Sequence, residues 1–373
     1  MPACKILENH MCITVNGMWR PCCRFNEDVQ PWQERMRVDK YSFDEYRNSE
    51  FYQSIKTAQK SGWHEGCKGC KIAEETGNSS TRLIFNKHLS GVPNRVEYIE
   101  ISLSNKCNLA CRMCGPWASS TWQKLVIDNE EVMSPFHKVS KHFAEIDFKK
   151  LVKDIDLSYL KTIKLLGGEP FITPQTTDFL EYLDSQGILE NIELQTNTNA
   201  TFFPKKLVKY LSKFKHLSVS LSFDGVGRVG EYVRSKSSWE TTVEVINQWR
   251  QFYVDYGYNI DSLKLASVIN AYNVHHLPEM ISFSKAIGIR LQYNIINGPN
   301  RLRLEALPVE YIDKLKKTLN TEDTKNVYYY LEKMQHSAEY RKELSKFTKE
   351  LDKITKFNLE DINTELAKYL DKY

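Results

Sequence analysis

The sequence predicts an α/β chain: an open, partial (β/α)6 barrel with a small cysteine-rich N-terminal module and a helical C-terminal extension. Three observations carry this reading. Between residues 95 and 297, six short strand-like runs alternate with helix-like ones, and such strands pair in parallel because parallel neighbours need crossovers, usually helical. Nine cysteines all lie at or before Cys114, clustered rather than scattered. Beyond residue 301 the chain turns rich in Lys, Glu and Leu, with apolar residues at helical spacing.

Residues 1–92 have weak periodicity and many Trp, Arg and Gly among their cysteines, the texture of a small, irregular, metal-stapled unit. Trp19, Trp32 and Trp63 are expected to build its core. Cys12 falls inside "MCITVNG", an alternating strand pattern, and is expected to pack rather than ligate. Residues 93–300 carry the strands "RVEYIEISL", "KTIKLL", "NIELQTN", "LSVSLSF", "LKLASVI" and "LQYNII", each short and bounded by polar or glycine-containing turns. Between them, "TTDFLEYLDSQG", "PKKLVKYLSKF" and "SWETTVEVINQWRQFYVDYG" read as helices, the last closing at Gly257. Six repeats are too few for the eight-stranded barrel. In such open sheets, ligands sit at the carboxyl ends of the strands. Residues 301–373 are mostly helical, with "ELSKFTKELDKI" the clearest stripe; no chemistry is read there, and the lysine-rich end can fray.

Composition narrows the function classes. The 373 residues are 41% hydrophobic with a net charge of +4, and the basic residues are dispersed, so a nucleic-acid partner is not implied. No run reaches the ~18 apolar residues of a membrane span, and "MPACKILENH" lacks the form of a signal peptide, which points to the cytoplasm and to no membrane partner. An odd number of cysteines in a large chain without a secretion signal argues for metal or catalytic use over disulfides.

The segment "CNLACRMC" follows the first strand of the core and places Cys107, Cys111 and Cys114 on one loop. Three thiolates can hold three corners of a [4Fe-4S] cubane and leave one iron open. Soft thiolates also select zinc or copper(I), so the spacing alone does not choose the metal. After the second strand comes "LLGGEP", at a strand end where a ligand is expected. Its two glycines allow close backbone approach and Pro170 stiffens the exit.

Taken together, "CNLACRMC", "GGEP" and the six-fold strand–helix alternation resemble the radical S-adenosylmethionine (SAM) superfamily over residues 95–297. The resemblance implies a cluster whose open iron takes the amino and carboxylate groups of SAM, with reductive cleavage to methionine and a 5′-deoxyadenosyl radical that abstracts a substrate hydrogen. It implies Met113 as an apolar contact for adenine, and Gly167, Gly168, Glu169 and Pro170 as the receptor of the methionine ammonium. Glu169 can instead cap the helix that follows. "SFDG" is similar to the family's Ser-x-Asp-Gly and places Ser222 and Asp224 near the ribose or methionyl end. Arg234, in "YVRS", is the candidate partner of the SAM carboxylate. "QTNTNAT" looks like the Thr-Asn-Gly turn of the third strand, with Asn197 the implied contact and Thr198 in place of the glycine.

Upstream, "GMWRPCCRF", "GCKGC" and "ETGNSSTR" look like a twitch or SPASM-type auxiliary module, which implies a second iron–sulfur cluster on Cys4, Cys22, Cys67 and Cys70; zinc on the same thiolates is the alternative. Cys22 is preferred to Cys23 because it follows Pro21. In familiar relatives this module follows the core, whereas here it precedes it. His64, beside the CxxC, is read as packing. The implied activity is a radical SAM oxidoreductase or transferase acting on a peptide or protein. A sugar or nucleoside substrate is the alternative, as is a noncatalytic iron–sulfur electron-transfer or metal-binding protein. A reduced flavodoxin or ferredoxin-type protein is the expected electron donor.

Overall fold

The computed structural model describes residues 4–139, 146–153 and 155–372. Among the described residues there are eight strands: β1 His10–Ile13, β2 Trp19–Arg20, β3 Tyr98–Ser102, β4 Thr162–Leu166, β5 Glu193–Thr198, β6 His216–Ser222, β7 Leu263–Ile269 and β8 Leu291–Ile295. They form one sheet in the order β2-β1-β3-β4-β5-β6-β7-β8. β1 runs parallel to β3, β3 to β4, β4 to β5, β6 to β7 and β7 to β8, while β2 returns antiparallel to β1.

All six strands read from the core sequence are found, and the chemistry that made them legible is visible in their burial. Leu217, Val219 and Leu221 of β6, and Leu263, Leu265 and Ile269 of β7, are buried. Ser218 and Ser220 of β6, and Lys264, Ala266 and Val268 of β7, which point the other way, are only half-buried. Helices occupy the crossovers: Pro174–Ser185 between β4 and β5, Trp239–Asp255 between β6 and β7, and Leu277–Ile287 between β7 and β8. Ser238 caps Trp239–Asp255 by accepting from the Thr241 amide, and Gly257 follows its C-cap at φ +69°, the left-handed conformation expected there. "PKKLVKYLSKF" gives only a short 3-10 and α turn, Lys205–Leu207 and Val208–Leu211.

In the N-terminal segment β1 is a strand, as expected, but it extends the parallel sheet rather than staying within a separate module. His10 lies opposite Tyr98 and Cys12 opposite Glu100. That pairing joins residues far apart in sequence, which local pattern cannot foresee.

The chain divides into two compact units, Met1–Lys106 with Lys141–Thr196 and Pro204–Ser218, and Cys107–Ser140 with Asn197–Phe203 and Val219–Tyr373. In the first, Trp19 is buried against Phe43 and Tyr46, with ring centroids 5.2 and 6.0 Å away. Trp63 lies under the Arg82 guanidinium at 4.6 Å. Trp32 departs from expectation: it opens a 3-10 turn after Pro31 and is 41% exposed, with Arg35 over its ring.

In the second unit the helices Val309–Leu319, Lys325–Lys333, Ala338–Thr355 and Glu360–Leu370 close a core around Leu277, Leu302, Leu344, Phe347 and Leu351. Leu366 and Leu370 are buried in the same core, so the last helix is docked and not frayed. Among the described residues no helix is long and apolar enough to cross a membrane.

His10 is buried with neither ring nitrogen partnered. Burial, with the charges of Lys164 and Arg20 behind it, pushes its pKa down to about 3. The unfolded chain, whose histidine titrates near 6.5, therefore binds the extra proton between those values, and stability falls as pH drops through that window. The His10→Phe variant is expected to unfold in acid at a lower pH than the wild type, followed by circular dichroism; coincident acid limbs would contradict this.

Candidate active site

Each of the two sequence segments that carry chemistry leaves the carboxyl end of a strand. The chain exits β3 through Ser104, Asn105 and Lys106 and enters the thiol loop at Cys107. The turn after β4 lies on that exit segment. Gly168 N donates to the Ser104 carbonyl at 2.9 Å, and Glu169 N to the Lys106 carbonyl at 2.7 Å. The glycines are needed for this contact. A Cβ on Gly167 would stand 2.6 Å from the Ser104 oxygen, and one on Gly168 2.4 Å from the Lys106 oxygen. Gly167 also has φ +144°. Their first task is thus to let one strand-end backbone lie on another. Glu169 is buried, and its side chain accepts from the Phe171 amide at 3.2 Å, capping the 3-10 turn Pro170–Ile172; Pro170 is buried in the first position of that turn.

In the second unit, every part of the thiol loop is tied. Thr121 Oγ1 donates to the Cys107 carbonyl at 2.7 Å, and the Cys107 amide donates to Ser120 Oγ at 3.1 Å. Ala110 N donates to the Ser235 carbonyl and Arg112 N to the Val233 carbonyl, at 3.1 and 2.8 Å, so Cys111 stands opposite Arg234. Trp122 Nε1 donates to the Cys111 carbonyl at 2.7 Å. Met113 is partly buried against the core of its unit.

Cys111 gives its S–H to Cys114. That bond, with burial behind it, pushes the Cys111 thiol well above its ordinary range and, against burial, holds Cys114 below its own. Arg234 adds positive charge beside both thiols. Burial works against the Arg234 cation, but Cys111 and Asp224 outweigh it and raise its pKa. Its Nη1 donates to Asp224 at 2.7 Å, and Nε has no partner. The other Asp224 oxygen accepts from Val268 N at 2.8 Å and Ser267 Oγ at 3.2 Å. Ser222 ends β6, opposite Ala266.

After the third core strand, a different asparagine from Asn197 lies against the thiol loop. Asn197 is exposed on β5, whereas Asn199, two residues on, is buried and directs its Nδ2 at Cys107 Sγ (3.7 Å) and Asn108 Oδ1 (2.8 Å). The signal is in the backbone: Ala200 has φ +56°, the conformation that a Thr-Asn-Gly turn asks of its glycine. The matching tripeptide is therefore Thr198-Asn199-Ala200, with alanine at the strained position.

Burial pushes Cys4 up to about 12, with Cys67 and Cys70 adding to the rise, and pushes Cys67 up to about 11, with Cys70 adding. Cys22, raised well above its usual value mainly by burial, feels Cys23, Cys4 and Cys67. Cys23 instead faces Glu100, Lys164 and Arg20, and Cys12 is buried on β1 beside Glu100. Within the expected set, Cys4 is in electrostatic range of Cys22, Cys67 and Cys70, and Cys67 of Cys22 and Cys70; Cys23 is in range of Cys22 as well. His64 accepts from the Gly66 amide at 3.0 Å and stacks on Phe25, a capping and packing role.

Among the described residues no three His, Cys, Asp or Glu side chains are gathered as ligands of a single metal ion. A cubane takes one thiolate per iron and so spreads its thiolates more widely; the partly or fully buried thiols near the N-terminus and on the loop at 107–114 suit that donor chemistry. The glycine contact gives a direct test. Gly168→Ala should lower stability by about 2 kcal/mol through overpacking, read by urea denaturation, whereas Gly69→Ala, with open space around it, should cost far less.

Residues 101–283 match the family model described as Radical SAM superfamily. The chain is similar to a GTP 3′,8-cyclase of Campylobacter fetus subsp. fetus, at 24% identity over 200 residues, 53% of this chain and 55% of that protein. It is also similar to a GTP 3′,8-cyclase of Picosynechococcus sp., at 26% identity over 187 residues, 47% of this chain and 48% of that protein. The chain thus spans about half the length of these curated relatives. Among solved structures, native anSMEcpe with bound AdoMet aligns at 17% identity with a TM-score of 0.41, covering 65% of this chain and 63% of that one. Streptococcus suis SuiB bound to precursor peptide SuiA aligns at 14% with a TM-score of 0.38, covering 79% and 67%. The matched stretch from 101 to 283 holds Cys107, Cys111, Cys114 and the GGEP turn.

Proposed function

We propose that the chain is a radical SAM enzyme, active in the cytoplasm, that modifies a peptide or protein. The observation that carries this reading is the thiol trio on a fully tied loop, entered directly from the backbone segment on which the GGEP turn lies. Cys107, Cys111 and Cys114 would hold a [4Fe-4S] cluster. Bound there with SAM, and reduced by a flavodoxin or ferredoxin-type donor, that group supplies cleavage to methionine and a 5′-deoxyadenosyl radical.

The chain's own residues hold and shield. Trp122, Thr121 and Ser120 fix the loop backbone, Asn199 offers an N–H to the Cys107 sulfur, and the Arg234–Asp224 pair sets positive charge against the thiols. Gly167, Gly168, Glu169 and Pro170 receive the methionyl end of SAM, Met113 the adenine, and Ser222 the ribose. Cys4, Cys22, Cys67 and Cys70 hold a second iron–sulfur cluster of the twitch or SPASM type. The domains implied are the module at 1–92, the core at 93–300 and the extension at 301–373.

A polar substrate suits the second face of the sheet. Parallel sheets covered on both sides carry apolar residues on both. Here β3, β4 and β5 align Glu100, Lys164 and Gln195, with an ion pair of 3.3 Å between the first two. In the second unit β6 and β7 align Ser220 with Lys264. The curated relatives named GTP 3′,8-cyclase favour a second reading, a nucleotide substrate.

Anaerobic protein given dithionite and SAM should release 5′-deoxyadenosine and bind about eight irons for two [4Fe-4S] sites. Alanine at Cys107, Cys111 or Cys114 should reduce release to background, while Cys67→Ala should keep uncoupled release. An iron-loaded wild type that releases none is a noncatalytic iron–sulfur protein, and stoichiometric zinc after reconstitution removes the second cluster. GTP consumption, read by chromatography, would select the second reading.

A further inference from the structure

The thiol loop contains a side chain that its thiol chemistry does not call for. Arg112, between Cys111 and Met113, is fully buried, where a guanidinium is costly unless its charge and hydrogen bonds are met. Its Nε donates to the Tyr232 carbonyl at 2.9 Å, and its Nη2 forms an ion pair with Asp352. The guanidinium carbon lies 3.6 Å from the Tyr232 ring centroid and 5.3 Å from that of Tyr272; Nη1 has no partner.

Asp352 belongs to the helix Ala338–Thr355 of the C-terminal extension. Its second oxygen accepts from the Tyr232 hydroxyl at 3.3 Å and the Leu359 amide at 2.9 Å. The same helix reaches the loop by two further routes. Phe347 stacks with Trp122, centroids 6.4 Å apart, and Trp122 holds the Cys111 carbonyl. Thr348 Oγ1 bonds the Tyr272 hydroxyl at 2.7 Å. Phe347, Thr348 and Asp352 thus hold the rings and the cation that touch Cys111 and Arg112.

We propose that the helix Ala338–Thr355 is a brace for the thiol loop, and that Asp352, acting through Arg112, is a positioning residue for Cys111 and Cys114. This rests on reading those cysteines as cluster ligands. The physical reason is that the loop has no regular structure of its own. With the Asp352 charge removed, Arg112 is left as an uncompensated buried cation. It can then reach water only by drawing the backbone from 111 to 114 outward, so the closed loop loses stability relative to an opened one.

The test is alkylation of the full, metal-free chain by iodoacetamide under anaerobic reducing conditions, read at each cysteine by mass spectrometry. Asp352→Asn, which keeps shape but not charge, should speed Cys111 by about tenfold or more and leave Cys12, buried in the other unit, unchanged. Asp352→Glu should return Cys111 to near the wild-type rate. If Asp352→Asn does not fold, Trp122→Phe keeps the ring against Phe347 and drops the N–H to the Cys111 carbonyl; it should give the same selective rise. Unchanged Cys111, or Cys111 and Cys12 rising together, overturns the brace. The readout needs no SAM chemistry. A wild type that releases no 5′-deoxyadenosine removes the proposed function while the alkylation ratio still decides the brace. Release by the wild type with an unaltered ratio removes the brace alone.

Discussion

Two glycines without side chains, laid on the backbone that leaves β3, are the constraint on which the candidate site turns. Gly167 and Gly168 approach the carbonyls of Ser104 and Lys106 within distances no Cβ can share. The amides of Gly168 and Glu169 then bond those carbonyls. The next residue along the chain is Cys107. The backbone that leaves β3 is therefore fixed as far as Lys106 by a contact between strand ends, and the packing of the apolar sheet face below them serves to hold those ends in register.

Buried sulfur imposes the second condition. A thiol removed from water stays protonated, since burial disfavours the thiolate, and burial is the leading cause of the high pKa of Cys4, Cys22 and Cys67. Such thiols become ligands only when positive charge repays the lost hydration, whether that of a metal or of a nearby cation. In the loop at 107–114 part of that charge is already present. Arg234 stands opposite Cys111 across two backbone hydrogen bonds, and Cys114, which receives the Cys111 proton, is the thiol held low.

Legibility in the sequence followed the range of the interactions concerned. β3 to β8 were readable because alternation and turn residues are local, and the pleat converts alternation directly into one apolar face. β1 was readable as a strand, yet its place beside β3 was not, since that pairing spans more than eighty residues. Cys107, Cys111, Cys114 and GGEP were legible by spacing. Asn199 was lost to Asn197 because the turn is defined by the φ of Ala200, and a left-handed alanine leaves no compositional mark. Arg112 was illegible for a related reason: an arginine between two cysteines reads as solvated, and its carboxylate partner lies 240 residues away.

That distant partner connects the two ends of the reasoning. Replacing a buried ion pair by apolar side chains of equal volume is often neutral or stabilising, so stability alone gives no reason for three paired arginines, two of them buried, to accompany the thiols. Yet Arg82 lies within electrostatic range of Cys4 and Cys70 and is paired to Glu74. Arg112 adjoins Cys111 and is paired to Asp352, and Arg234 faces Cys111 and is paired to Asp224. In each case the carboxylate holds the cation in one orientation and offsets its charge. An apolar substitute would pack as well, but it would neither fix the direction of a backbone carrying thiols nor meet negative charge on them. On the proposed ligation by these thiols, placement and charge, which sulfur ligation requires and folding does not, account for all three.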